Sequence, residues 1–431
     1  MIAKGQTSSN GVTNGSSKST SSLAINLQSV SSYFSFRQPI NNETFFKNIS
    51  SLEPGHYIQI KNSKVKVKKY WHLEKIFSKK HKDKGENYYK AKLRKLLQSS
   101  INYRLISDVS VASLLSGGLD STIISSTINE LMGKNFLAYS IGYHQKGYNE
   151  FKYSQLVAKK LNMRHKIIKS NFNSYFNNMK KLIYIRNHPL TIPNEVSQYE
   201  LCKNIKKHAT VVLSGCGADE LFCGYGRIFS SVDDYKKIKT LKDTNIRKNF
   251  LKNLKLRYGK TNFINYLDHF LTIYPYTNIK LKQKLLNKKF NHKQIENNIL
   301  KSFKKIFNKV KPDDYSKKMQ FFFQKFHLKG ILEREDASSM AASTELRVPF
   351  LDHRIIEFAA TIPIKYKIRT RKKIDELTSD KTSEVYDITK YILRKSYETR
   401  IPQVILDRKK IGFPIPLHEW MKKKKIKKKN N

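Results

Sequence analysis

The chain has 431 residues, 39% of them hydrophobic and 12% aromatic, enough for a large core in two or more domains, which excludes a wholly disordered protein. Three cysteines exclude a disulfide scaffold, no apolar run is long enough to span a bilayer, and the polar N-terminus lacks the core of a signal peptide, so the expected location is cytoplasmic, with no membrane partner. The formal net charge of +49 rests on 67 Lys and only 16 Arg, scattered among abundant Asn and Ile; an AT-rich coding genome gives that mixture, and it weighs against nucleic acid as a partner.

Residues 1–28, rich in Ser, Asn, Thr and Gly without an apolar period, read as a disordered leader. Residues 29–75 contain two alternating runs, "HYIQI" and "KVKVKKYW", around the turn "KNS", and predict a β-hairpin. Residues 86–107 predict a helix with Leu93, Leu96, Leu97 and Ile101 on one face. Apolar runs then alternate with helical stretches. Val109–Leu115, Phe136–Tyr143, Arg164–Ser170 and Thr210–Ser214 read as strands, separated by helices from Leu119, Phe151 and Val196. Such alternation predicts an α/β fold over 86–225, an open parallel sheet with helices on both faces. Residues 226–421 predict a mostly helical region, and 422–431 a Lys-rich, solvated tail.

The chemistry concentrates where strands end. Ser116-Gly117-Gly118-Leu119-Asp120-Ser121 lies between a buried strand and a helix. Adjacent glycines permit positive φ and close backbone approach, and the helix start offers free amides and a positive dipole end, which suits phosphate. Asp120 repels phosphate unless a bridging Mg²⁺ lies between them. An ordinary capped strand-to-helix turn accounts for the same spacing equally well. The stretch "LSGCGADELFCGYG" (Leu213–Gly226) follows a second strand and holds Cys216 and Cys223. Soft ligands for a metal are absent nearby in the sequence, and a cytosolic disulfide is disfavoured.

"SGGLDS" after an apolar strand resembles the pyrophosphate loop of the ATP-pyrophosphatase superfamily. Three later stretches resemble the asparagine synthetase family in order and spacing: "LSGCGADELFCGYGR", "REDASSMAASTELRVPFLDHRIIEFA" (Arg334–Ala359) and "YILRKSYETRIPQVILDRKKIGFPIPLHEWM" (Tyr391–Met421). That resemblance, covering about residues 29–421, implies an ATP-pyrophosphatase-type sheet and a C–N bond-forming ligase. Such an enzyme adenylylates a carboxylate, aspartate first among candidates, releases pyrophosphate and forms an amide with ammonia. It implies ATP and Mg²⁺ as cofactors, Asp120 and Asp219 as the metal carboxylates, and Lys410 as the lysine that stabilises pyrophosphate. Leu115, Ser116, Gly117, Gly118, Asp120, Ser121, Ile141, Ser214 and Gly215 are implied around ATP. Arg347 and Asp352 read as a structural network rather than as reacting groups.

Two departures bear on the substrate. Cys216 stands where the family has Glu facing the acyl group and incoming amine; a thiol with an ordinary pKa of roughly 8.5 is mostly neutral at pH 7 and cannot replace a carboxylate there. "NHP" (Asn187–Pro189) stands where relatives often carry acids before Pro. Family members also begin with a glutaminase domain whose cysteine follows the initiator Met, whereas residue 2 here is Ile. The hairpin region resembles the tail of that domain. The implied partners are therefore a small-molecule acid and ammonia, the latter free or delivered by a separate glutaminase chain. A non-aspartate acceptor, such as a sugar or a lactam-forming substrate, and a nucleotide-binding remnant without catalysis are the alternatives.

Overall fold

The computed structural model describes residues 2–3, 24–287, 290–311, 314–410 and 412–422. The leader's remainder and the tail beyond residue 422 lie outside the described residues. Helix α1 (Glu86–Leu105) precedes β1 (Val111–Leu114). Then follow α2 (Leu119–Met132), β2 (Leu137–Tyr143), α3 (Phe151–Lys160), β3 (His165–Ser170), α4 (Phe172–Arg186), α5 (Asn194–Ile205), β4 (Val211–Leu213) and α6 (Ala218–Phe222). Much later, α7 (Leu328–Met340) leads into β5 (Glu345–Arg347), and α8 (Tyr391–Ser396) comes near the end. The five strands form one parallel sheet in the order β3-β2-β1-β4-β5.

The expected α/β class is the class observed. Ala112 of β1 packs with Leu201 and Ile205 of α5. The next residue, Ser113, hydrogen-bonds through Oγ to Ser125 Oγ of α2 at 2.9 Å. Successive strand residues face opposite sides, so helices cover both faces. This explains why β1 reads as an unbroken apolar run rather than an alternating one. Strand β5 escaped the sequence reading, which expected a mostly helical region there and named no strand in it. Three residues show no period, and pairing alone makes them a strand: Glu345 N donates to Thr210 O at 2.8 Å, and Ser214 N to Arg347 O at 2.9 Å.

Strand order reverses at β1, because the chain runs outward to β3 and returns on the other side as β4. In open parallel sheets ligands bind outside the carboxyl ends of the strands at such a switch point. The loops after β1 and β4 both emerge there. Arg347 and Asp352 brace the neighbouring structure instead. Arg347 Nη1 donates at 2.8 Å to the carbonyls of Arg104 and Ile106, at the end of α1. Asp352 accepts from Arg354 Nη2 at 2.8 Å and Arg104 Nη1 at 3.2 Å, and the Arg354 bond is the first cause holding its carboxyl well below the usual range.

The described residues divide into two compact units, one within 79–262 and 314–431, which holds the sheet, and one within 1–78 and 263–313. Residues 263–313 thus group apart from the helical region in which the sequence reading placed them. The reason is aromatic packing: Phe36 lies 4.9 Å from Phe303 and 5.8 Å from Tyr274 between ring centroids. The expected hairpin forms from His56–Lys61 and Lys64–Lys69, and Asn62 and Ser63 take the positive φ of 49° and 57° that a tight two-residue turn requires. A helix, Leu27–Phe36, begins inside the expected leader, because the Asn26 side chain caps the Ser29 amide. Ile2–Ala3 pairs antiparallel with Ile49–Ser50.

One buried acid in the larger unit should leave a pH signature. Asp234, 1% exposed, accepts from Ser379 N at 2.9 Å, Ser379 Oγ at 2.7 Å and Tyr258 OH at 2.9 Å. Burial outweighs these bonds and raises its carboxyl to about 6. A raised acid binds its proton more tightly when folded. Its contribution is therefore complete below the unfolded value of about 3.9 and is lost, by up to roughly 3 kcal/mol, as pH rises through about 6. Urea unfolding of wild type and Asp234→Asn should show their stability difference drifting by this amount between pH 4 and 7; a constant difference would contradict it.

Candidate active site

The loop after β1 is shaped by one glycine. Gly117 has φ of +75°, and a Cβ there would lie 2.6 Å from Ser154 N and from Tyr153 Cβ. Only glycine lets the loop lie flat against the start of α3. Ser116 Oγ accepts the Gly118 amide at 3.1 Å and shares a 2.9 Å bond with Ser121 Oγ. Leu115, buried where β1 ends, donates its N–H to Tyr139 O at 2.8 Å; Ile141 lies two residues further along β2.

The loop after β4 meets the first one backbone to backbone. A Cβ on Gly215 would lie 2.8 Å from both Asp120 C and Ser121 N. Ser214 Oγ accepts the Cys216 amide at 3.3 Å. Gly217, at φ +93°, turns the chain into α6, which carries Asp219 in its first turn.

Between the loops stands Lys390, 3% exposed, at the start of α8 with φ 53°. Its Nζ lies 2.5 Å from Asp120 Oδ2 and 2.7 Å from Asp219 Oδ1. Lys410 Nζ pairs with Asp219 Oδ2 and sits 4.7 Å from the centre of the Tyr225 ring. Arg408 donates from Nη1 to Gly117 O at 2.9 Å, pairs with Glu150 and stacks on Tyr153 at 3.9 Å. Two loops, α6, α8 and residues 408–410 thus converge on one pair of carboxylates.

Burial alone would raise both acids. At Asp219 the ammoniums of Lys390 and Lys410 overcome it and hold the carboxyl well below the usual range. At Asp120 burial wins, helped by the Asp219 charge, and the carboxyl is raised despite Lys390. Lys390 feels the reverse balance: burial would lower it, and the two carboxylates raise it. Asp120 Oδ1 is buried with no hydrogen-bond partner among the described residues. An unpartnered buried carboxylate oxygen suits a hard cation. Among the described residues no three His, Cys, Asp or Glu side chains group to hold a metal by themselves. Mg²⁺ commonly takes only one or two carboxylates and completes its shell with water and substrate phosphates, so these residues fit it.

Cys216 is half-buried, and its thiol is pushed well above its ordinary value by burial, then by Glu335 and Glu220, with Arg334 opposing. It is a neutral group. Glu335, on α7, is itself raised to about 7 by burial and Glu220, against Arg334. Tyr225 OH donates to Glu220 Oε1 at 2.5 Å. Cys223, fully buried at the left-handed end of α6, is a packing residue whose thiol burial raises to about 12.

The structure therefore gathers Ser116, Gly117, Gly118, Asp120, Ser121, Ser214, Gly215, Cys216, Asp219 and Lys410 at one end of the sheet, with Leu115 just past β1 and Ile141 on β2. Sequence reasoning missed Lys390, Arg408 and Glu335 as members. The segment singled out for its family resemblance starts at Tyr391, one residue after Lys390, and no periodicity distinguishes one lysine among 67.

Fold and site together define an α/β protein with two touching glycine-bearing loops at the switch point of a parallel sheet. The chain belongs to the asparagine synthase family, whose model matches residues 92–430. It is 29% identical over 417 residues to asparagine synthetase [glutamine-hydrolyzing] 1 of Bacillus subtilis, covering 93% of this chain and 61% of that one. It is 23% identical over 427 residues to amidase chyE of Penicillium rubens, covering 88% and 60%. The chain thus spans about three fifths of the length of these relatives. A solved NH3-dependent NAD synthetase from Campylobacter jejuni aligns at TM-score 0.26 and 16% identity, over 57% of this chain and 97% of that one. No helix among the described residues is long and apolar enough to cross a membrane.

Proposed function

We propose that the site is an ATP-dependent amide ligase of asparagine-synthetase type. The observation that carries the reading is Lys390 set between Asp120 and Asp219 where two phosphate-suited loops touch. An acid's carboxylate oxygen attacks the α-phosphorus of ATP, and the bond to the β-phosphate's bridging oxygen breaks. Pyrophosphate leaves and an acyl-adenylate forms. Ammonia then attacks the acyl carbon and loses a proton, and AMP departs.

Residue roles follow from position. The amides and hydroxyls of Ser116–Ser121 hold the departing phosphates. Asp120 and Asp219 would hold Mg²⁺, which when bound offsets charge on the pyrophosphate oxygens. Lys390 and Lys410 place fixed ammoniums beside that developing charge. Leu115, Ile141, Ser214 and Gly215 flank the adenosine. The nitrogen source is ammonia, free or from a glutaminase chain, and comparing ammonium with glutamine as donor separates the two. ATP–pyrophosphate exchange by the full chain, screened across carboxylic acids, tests the reading. Exchange with at least one acid supports it, and none with any acid sinks it.

Cys216 favours a second reading of the acceptor. A neutral thiol beside Glu335 and Glu220 leaves the acyl side without the family's carboxylate at that position. On this second reading the acceptor differs from aspartate, in keeping with a relative named as an amidase. Cys216→Glu should raise aspartate-dependent exchange at least about tenfold, the size of one added charged contact. Unchanged exchange would show that this residue does not select the acid.

A further inference from the structure

A cavity of about 890 Å³ opens beside Lys410, lined by segments around Gly224–Ile228, Ser383–Thr389, α8 and Gln403–Lys410. We propose that it is the vestibule through which pyrophosphate leaves the site and in which it is briefly held. The proposal deepens the ligase reading and rests on it for the origin of the pyrophosphate.

Three wall residues join the cavity to the carboxylate–lysine cluster. Lys410 pairs with Asp219, and Arg408 donates to Gly117 O of the phosphate loop at 2.9 Å. Gly224 has no room for a Cβ, because Asp219 and Lys390 fill that space. The cavity therefore begins where the cluster ends, on the side of the loop that would carry the phosphates. It contains none of the residues assigned to adenosine, nor Cys216.

Its charge fits an anion. Seven basic side chains face four acidic ones. Of the acids, Glu384 is committed to Arg227 at 2.6 Å and Glu398 to Lys395 at 2.7 Å. Arg371 and Lys409, both exposed, make no ion pair among the described residues. Arg394 is held in the wall, its three guanidinium nitrogens donating to the carbonyls of Thr389, Leu406 and Arg408. The guanidinium of Arg371, without an ion pair among the described residues, is fitted to phosphate oxygens. At roughly 30 Å³ per water, the space accepts pyrophosphate with its hydration shell, so the ion need not be stripped to leave.

The test is calorimetric titration of the full chain with inorganic pyrophosphate in MgCl2, with orthophosphate as the comparison ion. Arg371→Glu reverses a charge in the cavity wall. Val385→Trp narrows the cavity at an exposed position, leaving the core intact. Wild type should bind pyrophosphate more tightly than orthophosphate. Arg371→Glu should weaken pyrophosphate roughly five- to tenfold while affinity for a non-hydrolysable ATP analogue holds. Val385→Trp should slow steady-state turnover while the first-turnover release of AMP keeps its rate. Wild-type pyrophosphate affinity in Arg371→Glu, or wild-type steady-state turnover in Val385→Trp, would overturn the vestibule, even if exchange activity persists. Arg371-dependent binding without exchange on any acid would leave the vestibule standing and remove the ligase reading.

Discussion

Lys390→Met is expected to reduce ATP–pyrophosphate exchange by about a hundred- to a thousandfold, the cost of deleting one preorganised charge at a reacting centre. The geometry gives the reason. Its ammonium is 3% exposed and within 2.7 Å of both carboxylates, so it is held in place before substrate arrives. Lys410 pairs with Asp219 and acts on Asp120 only through its more distant charge. The same substitution leaves Asp120 buried without its counter-charge, at a cost of about 3–5 kcal/mol of folding stability. A stability loss alone could lower activity, so the double variant Asp120→Asn/Lys390→Met separates the two effects. Removing the orphaned charge should return most of the stability in urea unfolding while exchange stays absent. Because the residues touch, the single effects should not add. Exchange within about tenfold of wild type for Lys390→Met would mean that the lysine only balances charge.

What the sequence made legible is what local chemistry marks. β1 and β4 announce themselves as short apolar runs, and the small residues after each mark a loop. Gly117 and Gly215 stand where a Cβ would collide with neighbouring atoms, so the tight turn after each strand could be read in advance. β5 could not, since Glu345–Arg347 becomes a strand only through its bonds to Thr210 and Ser214. The grouping of 263–313 with the N-terminal unit likewise depends on Phe36 meeting Phe303, a long-range contact without local trace. Lys390 stayed hidden for a related reason. Its role comes from a left-handed backbone that aims one side chain between two acids from distant segments, whereas composition offers only an excess of lysine. Cys216 was readable as a departure from a pattern. Its neutrality, with Glu335 and Glu220 acting on it, required the fold.

The contact between the two loops yields a sharp comparison among glycines. Gly215→Ala would set a methyl 2.8 Å from Asp120 C and Ser121 N, both backbone atoms that cannot rotate away. The loops must part by a few tenths of an ångström or more, carrying Asp219 away from Asp120 and Lys390. Displacements near 1 Å at a reacting centre cost roughly a hundredfold, and exchange should fall by about that factor. Gly118→Ala, three residues from Ser121 in the same loop, meets only Ser116 Oγ at 3.2 Å, a hydroxyl that can turn. Gly118 also has φ of −79°, which alanine adopts freely. That variant should stay within about fivefold of wild type, as most unstrained substitutions do. Thermal unfolding should be lowered in Gly215→Ala only modestly, since the sheet beneath both loops keeps its packing. Equal activity in the two variants would mean that the loops need not touch for phosphate to be held. A selective loss in Gly215→Ala would assign the catalytic geometry to the spacing between β1 and β4, which only a parallel pair at the switch point provides.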